Sequence, residues 1–210
     1  MEDYTKEQLE QMVKEGKSLK GIDLSFAELQ GIDLSGADLS DATFTGADLS
    51  GANLEGANLE NAFIADANFN KANFKNANLS RAVLQRVNLR EANFEGANLF
   101  RAQILVCDAP NANFNKANMV NIRMEDSNLP NSSFDEADIS YSNLRGADLQ
   151  KSSFIRTKFS HTDLRKARLA GIWFENVEAD EVLVYGKKPW LEGSKADVPY
   201  DKILPSNYDD

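Results

Sequence analysis

Few side chains in this 210-residue chain could do chemistry: one histidine, His161, and one cysteine, Cys107, stand against 33 carboxylates. A general base needs a pocket and an orienting partner, and an isolated histidine brings neither. A reactive thiol at Cys107 would need access to solvent and a cationic neighbour. One His and one Cys fall short of a zinc set, and no phosphate-cradling G-x-x-x-x-G-K-S/T run occurs. No catalytic residue, cofactor or metal ligand is expected, and the chain reads as a non-enzyme. The carboxylates are informative for a different reason, because many recur at a fixed interval.

That interval is five. From Leu24 to Phe174 every fifth residue is apolar: sixteen Leu, nine Phe, three Ile, two Met and the small Ala109. Two residues before each stands a second small or apolar side chain, as in Ala47-Asp48-Leu49-Ser50-Gly51 and Ala52-Asn53-Leu54-Glu55-Gly56. Period five fits neither a helix nor an alternating strand. Residues two apart share a face of an extended segment, so Ala and Leu point one way and Asp or Asn the other. The last two residues of each unit are small or polar and suit a tight turn. Each unit is therefore one short strand and one corner, and the chain must coil around its own apolar side chains.

The A-(D/N)-L-X-X pattern, running from Ile22 to about Asn176, resembles the pentapeptide-repeat family. The resemblance implies an all-β fold, a right-handed quadrilateral β-helix (a solenoid) with four units per coil. Residues twenty apart then stack, and 31 units give about 7.75 coils and a rod of roughly 37 Å at about 4.8 Å per coil. On this scheme Asp38, Asn58, Asn78, Asn98, Asn118 and Asp138 form one outward column. Hydrogen bonds from such side chains to the local backbone are their expected task. Cys107 takes an inward small-residue slot, and His161 a corner facing solvent.

Three parts follow: residues 1–18 as an N-terminal capping helix, 19–176 as the β-helix, and 177–210 as a strand and tail. Thr5 and Gln8 form a capping-box pattern, Leu9, Met12 and Val13 a helical stripe, and Gly16 a stop, which predicts a short capping α-helix over residues 5–15. Val182 and Val184 keep the register of a last strand. The tail beyond, with Trp190, Leu191, Tyr200, Ile203 and Leu204, is expected against the last coil or against a second copy, giving a homodimer through the C-terminal end. Trp173 and Ile155 lie where either would cover them.

The net charge of −10 is uneven. Residues 1–60 hold 13 acids and 4 bases, whereas residues 61–120 hold 4 acids and 7 bases. Direct nucleic-acid binding and an anionic membrane surface are both disfavoured. No apolar run is long enough to span a membrane, and no secretory signal follows Met1, so a cytoplasmic location is expected.

Stacking by twenty also places Phe63 beneath Val83 in a slot that Asp or Asn normally fills. Phe100 lies beneath Val120 in another column, and Leu105 and Val106 occupy the same wall as Phe63 and Val83. These six residues form the candidate partner patch, since exposed apolar patches mark interaction surfaces. The expected function is a non-catalytic protein-interaction scaffold displaying residues on a rigid rod, its partner unknown. The alternative comes from the resemblance: quinolone-resistance pentapeptide proteins mimic duplex DNA, bind a type II topoisomerase (gyrase) and protect it. Here the acidity gathers in the first coils, the register is unbroken, and the inward small slot is mostly Ala.

Overall fold

The computed structural model describes residues 4–184 and the backbone of residues 195–196. Within them the chain winds as a right-handed, four-sided β-helix, the hand that parallel β-crossovers adopt in nearly all proteins. Parallel bridges join residues twenty apart, from Asp23↔Thr43 through to Asp163↔Leu183. The ladder is regular: Leu54 N–H donates to the Asn73 carbonyl at 2.7 Å, and Asn73 N–H donates to Ala52 at 2.9 Å. Side-wall backbone groups are thereby paired from coil to coil.

Each corner is a four-residue turn. Ala57 N–H donates to Leu54 at 3.0 Å, and Gly56, third in that turn, has φ +64. A positive φ at that place is the signature of a type II turn, which favours glycine or asparagine. The corner before it in each coil repeats the geometry, and 24 corner residues adopt it without being glycine. Most are polar or charged; the β-branched Val106, at φ 55, is the outlier.

The four walls are numbered by the inward residue of each unit. The first runs Leu24, Phe44, Ile64 and onward by twenties; the second starts at Leu29, the third at Leu34 and the fourth at Leu39, all buried. On the third wall Phe74, Phe94, Phe114 and Phe134 stack in parallel with Phe154, ring centroids 4.7 to 5.1 Å apart. Small partners leave room for this column. Toward the C-terminus the inward Ala slot becomes Ser or Thr: the Ser132 hydroxyl donates to Ala109 O at 2.9 Å and accepts from Ala112 N–H at 3.2 Å. The hydroxyl finds partners in the neighbouring coils, which offsets the desolvation of these buried polar side chains.

Outward Asn and Asp make a second set of columns. Asn58, Asn78, Asn98 and Asn118 each donate from Nδ2 to the Oδ1 below, starting on Asp38, at 2.9 to 3.2 Å. The same Oδ1 atoms accept the N–H two residues on, as Asn78 does from Ser80 at 3.2 Å. At some of the units whose slot holds neither Asn nor Asp, the extended segment lengthens. All of the longer parallel strands start from or span such units: β1 (Phe63–Ala65), β2 (Val83–Gln85), β3 (Gln103–Leu105), β4 (Ser153–Ile155) and β5 (Ile172–Glu175). The first three form one parallel sheet on the first wall.

The expected helix is present as α1 (Lys6–Lys14). Thr5 Oγ1 accepts Gln8 N–H, and Gln8 Oε1 accepts Thr5 N–H at 2.8 Å, a closed capping box. At its other end Lys17 N–H reaches Met12 O and Gly16 N–H reaches Val13 O, a Schellman stop with Gly16 at φ +68. Leu9 is fully buried in the solenoid core, and Met12 and Val13 pack against it. Lys6 and Glu10 bond the backbone of Gln30 and Asp33 in the first coil. At the far end Val182 is buried and Leu183 bridges Asp163. A two-residue strand, β6 (Lys195–Ala196), pairs antiparallel with β5 at Ile172 and Trp173. The remaining tail positions, Trp190, Leu191, Tyr200, Ile203 and Leu204, lie outside the described residues.

Candidate functional site

Neither reactive side chain is set for catalysis. Cys107 is buried, its thiol between Leu84 O and Leu105 O at 3.4 Å and facing Val87 N–H at 3.5 Å. Burial pushes the thiol up to about 11, so almost none is thiolate near neutrality. His161 occupies a corner, but it is not isolated as the sequence suggested. Its ring stacks on Tyr141 with centroids 4.6 Å apart, and Nε2 lies 3.0 Å from Glu181 Oε2. Tyr, His and Glu thus close one corner column, a packing role the twenty-residue spacing could have revealed. Among the described residues no three His, Cys, Asp or Glu side chains are grouped to hold a metal ion.

The candidate patch is divided by the structure. Phe63 and Val83 are direct partners in the β1–β2 pairing, and Leu105 lies opposite Gln85 in the β2–β3 pairing. Val106 follows at the corner, 56% exposed, while Phe63 is 43% exposed. These four lie on the first wall and its edge. Phe100 and Val120 sit on the fourth wall, across the corner column that holds Arg81 and Arg101. Both are half-buried, and the Arg101 guanidinium covers the Phe100 ring at 5.1 Å. They flank the wall and do not extend it.

Three members of this surface escaped the sequence reading. The large apolar side chains exposed among the described residues are Phe26, Phe63, Val106, Tyr141, Trp173 and Leu183. All but Trp173 lie on the first wall or its two edges. Phe26, at 72% exposure, rests its ring on Gly46, where a Cβ would come within 2.6 Å. The signal was available in the residue numbers modulo twenty, which separate the walls as surely as the pentad separates inside from outside. Arginine follows the same division. Arg81, Arg86, Arg101, Arg123, Arg145 and Arg165 occupy this wall or its edges, six of the nine in the chain. Arg86 holds Asp66 in the coil below through two bonds of 2.6 and 2.7 Å, and that pairing keeps the Asp66 carboxyl below its usual range. Aromatic, apolar and arginine side chains gathered with a single lysine, Lys166, are the composition of protein interfaces.

Comparison with known proteins follows the fold. A family model described as pentapeptide repeats matches eight copies, over residues 18–56, 67–103, 111–140 and 132–171. No curated protein matches the chain. Among solved structures, one similar chain is HetL, a pentapeptide repeat protein involved in heterocyst differentiation regulation from the cyanobacterium Nostoc sp. strain PCC 7120. It is 21% identical, with 90% of this chain and 98% of that chain covered and a TM-score of 0.40. Another is full-length QnrB1, a plasmid-mediated fluoroquinolone resistance protein, at 21% identity, 76% and 92% coverage and a TM-score of 0.41. No helix among the described residues is long and apolar enough to cross a membrane.

Proposed function

This chain belongs to the pentapeptide-repeat family, and from that premise we propose that it is a non-catalytic scaffold that binds a protein partner through its first wall. The interior is filled by packed side chains, so activity belongs to the outside. Three of the four walls are occupied by Asn and Asp bonded to their neighbours. One observation carries the reading: exposed apolar and arginine side chains collect on the wall that lacks an asparagine ladder. Phe63, Val83, Leu105 and Val106 form its centre, with Phe100 and Val120 beyond the Arg101 edge. A DNA mimic is less well supported, because the outward slots of the ladders are mostly neutral Asn through the middle coils and the first wall is rich in arginine.

The test is loss of partner recovery. Phe63→Asp and Val106→Asp place charges at exposed positions and leave the core untouched. A protein recovered with the wild-type chain from its native host should fall away with either variant, while Lys116→Glu, on a corner across the coil, retains it. Equal recovery by all three, with unfolding curves intact, refutes this function.

A further inference from the structure

We draw no further inference here: the strongest candidate, the surface patch of exposed apolar and arginine side chains along the first wall, carries none, because seven carboxylates balance seven cations on that wall and its edges and nothing in the structure shows what covers it.

Discussion

The asparagine columns have a direction, and reversing it at one position should cost stability in a way that depends on pH. In the fourth-wall column every Asn Nδ2 from Asn58 to Asn118 donates downward, and the Oδ1 atoms of Asp38, Asn58, Asn78 and Asn98 accept from above. An Asp can therefore begin a run but cannot continue one, because its lower oxygen has no proton to give. The column obeys this: Asp38 lies at the base, and the run of side-chain bonds stops beneath Asp138. In Asn78→Asp the bonds from Asn98 at 3.0 Å and Ser80 at 3.2 Å survive, while the 2.9 Å donation to Asn58 is replaced by facing oxygens. One lost hydrogen bond is about 0.5–1.5 kcal/mol, and the oxygen contact raises the expected loss to about 1–2 kcal/mol at pH 7. Protonation gives the new carboxyl a donor and restores the bond, so its folded pKa rises above the unfolded value near about 3.9. The native state then binds more protons than the unfolded state, and stability falls as pH rises through that window. The deficit relative to wild type should be full at pH 7 and shrink as pH falls below the folded pKa. Asp138→Asn has the opposite sign: it supplies a donor to Asn118 and should add about 0.5–1.5 kcal/mol. Urea unfolding of both variants at neutral and acid pH checks the pair. Two neutral substitutions, or a deficit in Asn78→Asp that grows on acidification, would refute the reasoning.

Phe114→Ala, between rings at 4.9 and 5.1 Å, should cost about 3–5 kcal/mol and open the adjoining coils first in hydrogen exchange. A loss under about 1 kcal/mol, well below the usual penalty for emptying a buried aromatic site, would show that the column is loosely packed. Cys107 should resist a thiol reagent at pH 8 in the native state and react at once in urea, because its thiol lies near 11 and is buried; immediate native labelling contradicts that burial. Val106→Gly should stabilise the fold by about 1 kcal/mol by relieving a β-branched residue at φ 55, and should weaken partner binding. Thermal unfolding unchanged or lowered by the substitution would mean that the corner stores no strain.

Period five made the coiling and its inward residues legible, the resemblance to the family supplied the four units per coil and so the stacking by twenties, and the Thr5–Gln8 pair gave away the helix. The direction of the ladders was less visible, since Asp and Asn are alike in shape and differ only in whether one end donates. The phenylalanine column was present in plain numbers, Phe74, Phe94, Phe114, Phe134 and Phe154, yet a scan by fives does not separate one wall from the next. The same blindness hid Phe26, Tyr141 and Leu183, which are far apart in sequence and share a wall. Phe100 and Val120, already read as a separate column, stand across the corner at Arg81 and Arg101 from Phe63 and Val83. His161 is exposed at its corner as expected, and looked isolated because its partners, Tyr141 and Glu181, lie one coil away in each direction.

The ladder and the interaction wall are two consequences of one constraint. Where Asn fills the outward slot, its carbonyl oxygen accepts the backbone N–H at the corner and its amide ties two coils, so exchanging that Asn is costly. The second, third and fourth walls carry such runs through the middle of the rod. On the first wall, from Thr43 to Arg123, the slot holds Thr, Phe, Val, Gln and Arg, and those ties are absent. Other contacts stand in for them: the β1–β3 sheet, the Arg86–Asp66 pair and the Arg123–Glu125 pair at 3.0 Å. The sheet and the Arg86–Asp66 pair do not demand a particular residue in the slot, which leaves the side chains of Phe63 and Val83 available to a partner. A chain that keeps the rule on three walls and breaks it on one, with a strained Val106 at the break, places its departures where function is expected.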